Sequence, residues 1–165
     1  MLAKPLVPLA CLFILAACGG SARREQVATR VVEGQGFSFS APQGWSTAHT
    51  AKGVVVRRGK ALVSATTFTL LKSYDPGSFD RVAVELDRAA TKLAVQAGGK
   101  VTESVTTTVD GRKVRAYRYT AGGYATRIGF LLRGRQEVQL LCRAPARADD
   151  PDGACGLLFE SFSAP

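Results

Sequence analysis

Three two-residue joints between four alternating segments constrain this chain more than any other feature. Lys100–Val109, Arg112–Ala121, Tyr124–Arg133 and Gln136–Arg143 are separated by Asp110-Gly111, Gly122-Gly123 and Gly134-Arg135. Asp-Gly and Gly-Gly accept the positive φ angles of tight hairpins. Joints this short leave no room for a crossover, so the four segments must run antiparallel, as a meander. Ile128, Phe130 and Leu132 share one face of their strand, and Val138, Leu140 and Cys142 share one face of theirs.

The period is different just upstream. Phe79, Val82, Ala83, Leu86, Ala90, Leu93, Ala94 and Ala97 fall on one helical face, with Asp80, Arg81, Asp87, Arg88 and Lys92 mostly elsewhere. Asp75-Pro76-Gly77-Ser78 breaks the chain before this helix, with Ser78 as its N-cap, and Gly98-Gly99 ends it. Earlier still, Phe37–Ser40 alternates as a half-buried strand ended by Pro42, and Gly44-Trp45 follows a turn. Val54–Val56 and Ala61–Leu71 read as two strands around Arg58-Gly59-Lys60. After the meander, Ala144–Gly153 is a polar loop, and Cys155–Phe162 is a short helix packing Leu158, Phe159 and Phe162. The fold class is α+β: a strand pair or triplet, a long helix, a four-strand meander and a short C-terminal helix, giving an antiparallel sheet covered by helices.

The first residues carry an address. Lys4 precedes an apolar run, Leu6–Leu15, which is far shorter than the roughly 20 residues that span a bilayer and suits a signal-peptide core. Leu15-Ala16-Ala17-Cys18 resembles the bacterial lipoprotein signal, a leucine and two small residues before a cysteine. The resemblance implies that Cys18 receives a diacylglyceryl thioether and becomes the mature N-terminus. Two or three acyl chains, at about 0.8 kcal/mol per buried CH₂, make a stable anchor. By the same resemblance Gly19, where an aspartate would signal inner-membrane retention, points to the periplasmic face of an outer membrane, or to the outer face of a single plasma membrane. The organisation expected is a signal peptide at 1–17, the lipidated cysteine and a tether at 18–34, and one globular domain at 35–165.

Removing residues 1–17 from 165 leaves 148, enough for a proper core. Of the four cysteines, Cys11 leaves with the signal and Cys18 carries lipid, so Cys142 and Cys155 remain in an exported domain where oxidation is expected. A bridge between them closes a loop of about 14 residues, worth roughly 3 kcal/mol. The alternatives are two free thiols or a metal pair, and the second lacks a nearby histidine.

Taken together, Gly36-Phe37-Ser38-Phe39 with Pro42 and Gly44-Trp45, the long helix, the meander and the closing Ser161-Phe162 resemble the PsbP-like fold. Extrinsic photosystem subunits, a yeast nuclear-import factor that binds a small GTPase, and bacterial envelope lipoproteins of the DcrB type share it. The resemblance implies a sandwich-like α+β domain that binds larger complexes.

Signals for chemistry are sparse. His49 is the sole histidine and has no G-x-S-x-G context. Asp149-Asp150-Pro151-Asp152-Gly153 lacks the alternating ligands and distal glutamate of a calcium loop, and reads as a solvated acidic turn. No phosphate-loop pattern and no zinc spacing occur, so no catalytic residue, metal or cofactor is assigned.

The basic residues say more. Loss of Lys4 takes the net charge from +9 to about +8. Arg57, Arg58 and Lys60 cluster at one hairpin, and Arg112, Lys113, Arg115 and Arg118 lie on one strand, with Arg112 and Arg118 on the face opposite Lys113 and Arg115. Such charge near a membrane favours anionic surfaces. The expected binding surface comprises Arg112, Arg115, Arg118 and Arg127 with the surface near Trp45. The function expected is a lipid-anchored, non-catalytic binding or assembly domain for an envelope protein or an anionic surface, with no nucleic acid as partner. A small envelope hydrolase using His49 or a carboxylate pair, and a carrier of an apolar ligand between helix and sheet, are the alternatives.

Overall fold

The computed structural model describes residues 27–148 and 150–165. The expected signal peptide and lipidation site at Cys18, and Asp149 of the acidic turn, lie outside the described residues. Among the described residues, nine strands and two α-helices follow one another as β1 (Thr29–Gly34), β2 (Phe37–Pro42), β3 (Ser46–Thr50), β4 (Gly53–Arg58), β5 (Ala61–Thr69), α1 (Phe79–Gln96), β6 (Lys100–Val109), β7 (Arg112–Ala121), β8 (Tyr124–Arg133), β9 (Gln136–Pro145) and α2 (Ala154–Ser161).

Strands β3 to β9 form one seven-stranded sheet in the order β3-β4-β5-β9-β8-β7-β6. Every pairing in it is antiparallel. The meander forms as its turns require: Asp110 and Gly111 both take positive φ, 51° and 71°, as a tight hairpin with right-handed strand twist demands. The earlier triplet joins the meander through β5 and β9, with Val63 opposite Cys142 and Ala65 opposite Leu140. The α+β architecture expected from the sequence is the one observed.

Alternation splits the sheet into two buried faces. On one, α1 lays Leu86 and Ala90 against Tyr117, Ile128, Phe130 and Leu132. On the other, the β1–β2 hairpin and α2 supply Phe37, Phe39, Leu158, Phe159 and Phe162 to a core with Val114, Leu131, Val138 and Leu140. Ser38 and Ser163 exchange backbone hydrogen bonds at 2.8 and 2.9 Å and pin the C-terminal tail to β2.

Several boundaries differ from the sequence reading. The expected tether becomes ordered strand from Thr29, because β1 pairs along its whole length with β2, from Thr29 opposite Pro42 to Gly34 opposite Phe37. Strand β3 was not anticipated; its residues STAHT are polar because it is a sheet edge. The buried stripe of α1 is narrower than the periodic set: Phe79, Leu86, Ala90 and Ala94 are buried, whereas Leu93 is exposed. Ser78 occupies the N-cap but makes no side-chain cap; its hydroxyl donates back to the Asp75 carbonyl at 2.6 Å, and Asp75 accepts from the Gly77 amide at 3.1 Å.

Candidate functional site

Strand register builds the site. Tight turns place Arg118 of β7 opposite Arg127 of β8, and Arg127 opposite Cys142 of β9. Glu103 of β6 completes the row beyond Arg118. The row lies on the sheet face that α2 covers, so the guanidinium of Arg127 meets the Phe159 ring, 4.0 Å from its centroid.

The start of α2 is held from three directions. Cys142 and Cys155 form the expected disulfide, with Cα atoms 5.5 Å apart. Asp150 accepts from the amides of Cys155 at 2.7 Å and Gly156 at 3.0 Å, which satisfies two of the helix's free N–H groups. Asp152 accepts the Trp45 indole N–H at 2.9 Å and pairs with Arg58 at 2.7 Å, while Arg58 lies over the Trp45 ring. The acidic turn is exposed at Asp150, as expected, and its carboxylates also hold the start of α2 and the Trp45 indole. Among the described residues no group of three His, Cys, Asp or Glu side chains comes together to hold a metal ion.

These elements enclose a cleft of about 290 Å³ lined by Trp45, Arg118, Arg127, Arg143, Asp150 and the disulfide. Of the five residues assigned to a binding surface, it gathers Arg118, Arg127 and Trp45. Trp45 is not a surface residue, however: it is 3% exposed, because its ring joins the core while its N–H finds Asp152. Burial, and then the charge of Arg118, hold the Arg127 guanidinium below its ordinary value.

Arg112 and Arg115 lie elsewhere. Arg115 points to the opposite face and binds Asp87 of α1 at 2.9 Å. Arg112 pairs with Asp110 at the far end of β7, beside a second cleft of about 520 Å³ lined by Tyr74, Lys113, Leu132 and Arg133. His49 stands exposed on β3, and no side-chain hydrogen bond joins it to the described residues. The seam under α1 is filled by Leu86, Ala90, Tyr117 and Phe130. The sequence reading did not include Arg143, Asp150, Asp152 or Phe159 in the site. Counting outward from the Gly122-Gly123 and Gly134-Arg135 turns gives the row Arg118, Arg127, Cys142, but nothing in the sequence shows that α2 folds back over it.

No family profile and no curated protein matches the sequence. Solved structures do match. The solution structure of cyanobacterial PsbP (CyanoP) from Synechocystis superposes with a TM-score of 0.58 at 15% identity, over 92% of this chain and 99% of that one. LpqN, involved in cell envelope biogenesis of Mycobacterium tuberculosis, superposes with a TM-score of 0.58 at 14% identity, over 87% of this chain and 94% of that one. A protein of Bacteroides thetaiotaomicron reaches 0.50 at 11% identity over 85% of this chain and 49% of its own. With the sheet order, the covering helix and the docked hairpin already described, these likenesses establish that the fold is PsbP-like.

Proposed function

We propose that this protein is a lipid-anchored, non-catalytic binding domain of the cell envelope, tethered through Cys18 and recognising its partner at the cleft beside α2. The observation that carries the binding part is the pairing of Arg118 and Arg127 on a cleft whose wall is fixed by the disulfide and by the Asp152–Trp45 bond. The address is supported by Leu15-Ala16-Ala17-Cys18 and by a disulfide of the kind that persists in oxidising compartments. The likeness to LpqN, a protein of envelope biogenesis, agrees with it. None of the described helices is long and apolar enough to cross a membrane. Gly19 favours the periplasmic face of an outer membrane where the cell has two membranes.

The test has two arms. Cells fed labelled palmitate should yield labelled, membrane-bound wild type, and Cys18→Ser should lose both properties; unlabelled, freely soluble wild type would overturn the anchor. Crosslinking in intact cells should give a discrete adduct that Arg118→Glu abolishes. The absence of any adduct would overturn the binding role.

A further inference from the structure

Arg127 is the one arginine of β7 and β8 without a polar partner among the described residues. Arg112 pairs with Asp110, Arg115 with Asp87, Arg118 with Glu103 at 3.2 Å, and Arg133 holds Gln136 and the carbonyl of Ala164. Arg127, half-buried, has only the face of Phe159. That contact engages the π face of the guanidinium and leaves its in-plane N–H fork unused. The fork is not sealed in, since no buried side-chain nitrogen or oxygen in the described residues lacks a partner; its donors therefore open on the cleft.

The carboxylate that lines the cleft, Asp150, turns both its oxygens to the backbone amides of α2. Arg118 stands directly across from Arg127, so two guanidinium groups adjoin; Glu103 pairs with Arg118, and Asp150 and Glu160 add negative charge near Arg127 without binding its fork. A site of this kind matches a tetrahedral phosphate, free or esterified, better than a planar carboxylate, because the fork can bind two of its oxygens while Arg118 faces a further one. The cleft volume sits at the lower edge of the roughly 300–1,000 Å³ of small-molecule sites, enough for a phosphate and a short polar body but not for an acyl chain.

We propose that this cleft is a phosphate-binding site in which Arg127 grips the phosphate with its N–H fork and Arg118 flanks it. The phosphate is either free or part of a phospholipid headgroup. The inference rests on the binding reading above and narrows it to a ligand chemistry.

Calorimetric titration of the purified full-length protein with inorganic phosphate, and separately with glycerophosphoglycerol, tests it and separates the two sources. Saturable one-to-one binding of at least one probe is expected. Arg127→Gln should weaken it tenfold or more, Arg127→Lys should rescue only part, since it keeps charge without the fork, and Arg88→Gln on α1 should leave it unchanged. Heats that do not saturate with either probe, or an Arg127→Gln titration like that of the wild type, would overturn the proposal. Thermal melting guards against a folding artefact: the probe that binds should raise the wild-type midpoint and leave that of Arg127→Gln in place, and an equal rise in both counts against the site. A null titration with the cellular adduct intact removes the phosphate and keeps the binding role. Saturable phosphate binding without any adduct does the reverse.

Discussion

The hydroxyl of Tyr117 donates a 2.7 Å hydrogen bond to Asp87, tying β7 to α1. Arg115 reaches the same carboxylate through Nε at 2.9 Å and Nη2 at 3.3 Å. Tyr117 is buried to 1% exposure, so removing Asp87 takes away the acceptor that its hydroxyl uses in the folded protein. Asp87→Ala should therefore cost about 1–3 kcal/mol, the penalty of a stranded buried donor. Tyr117→Phe should cost less, and the double variant less than the sum, because both remove one bond. Urea denaturation of the four proteins measures this, and strict additivity would show that the bond contributes nothing.

The same carboxylate sets an acid response. The hydrogen bond from Arg115 is the largest cause that holds the Asp87 carboxyl below its ordinary 3.8, outweighing burial. A group depressed in the folded state stabilises above its unfolded pKa and loses that contribution as pH falls toward the folded value. Wild-type stability should thus decline below about pH 3.8 more steeply than that of Asp87→Asn, in which the titrating group is absent. Burial first, and Asp87 second, push the Tyr117 hydroxyl far above its ordinary 10.0, so at the alkaline end stability should fall as pH rises beyond 10, and Tyr117→Phe should flatten that limb. Parallel curves for wild type and variants would refute both assignments.

Removing the Cys142–Cys155 bridge tests how the wall of the cleft is held. The bond closes a short loop, with 13 residues of sequence separation, and its chain-entropy contribution is about 3 kcal/mol. The double variant Cys142→Ser, Cys155→Ser should melt at lower temperature and lose its sensitivity to reductant. It should still fold, because Asp150 holds the first α2 amides independently. Reductant that leaves the wild-type melting temperature unmoved would mean the bridge adds no stability.

Most of the fold was legible because its signals are local. The meander follows from three turn pairs, and α1 from a 3.6-residue period. What escaped notice depends on contacts distant in sequence. Strand β1 buries only Val32 and leaves Val31 66% exposed, so its pattern has no clean alternation; it is a strand because β2 is beside it. Trp45 is placed with the surface by the sequence reading, yet it is buried, and the partner of its N–H, Asp152, is 107 residues away. Alternation alone separates Arg115 from Arg112 and Arg118 in the sequence; that Arg115 meets Asp87 of α1, and that Arg112 pairs with Asp110 at the far end of β7, depends on packing the sequence does not show. Only Arg118 and Arg127, linked by the Gly122-Gly123 turn, could have been paired by counting.

Trp45 is the single tryptophan, so its emission reports the cleft wall directly. Asp152→Ala strands the indole N–H and frees Arg58, and should cost about 1–3 kcal/mol. Trp45→Phe removes the donor together with its need for a partner and should cost less in combination with Asp152→Ala than alone. Emission from the folded wild type should be that of a buried indole, and should shift to the red in Asp152→Ala as water reaches the N–H. An unchanged spectrum would mean that Asp152 does not hold the ring.

Gly129 on β8 lies under the ring that also carries Arg127. A Cβ there would stand 2.8 Å from Phe159 Cε1 and 3.1 Å from Val114 Cγ1, both inside ordinary contact. The sheet uses glycine at this position because α2 packs its phenylalanine directly onto the β8 backbone, opposite Leu140 of β9. Gly129→Ala should therefore destabilise by about 1–3 kcal/mol through overpacking, although alanine suits a strand better than glycine does. Phe159→Leu, which removes the atoms that clash, should recover part of that loss in the double variant while destabilising the wild-type background. Displacement of Phe159 also moves the ring on which Arg127 stacks, so Gly129→Ala should weaken phosphate binding without altering any charged residue. Full stability together with wild-type affinity in Gly129→Ala would show that α2 does not bear on the sheet here.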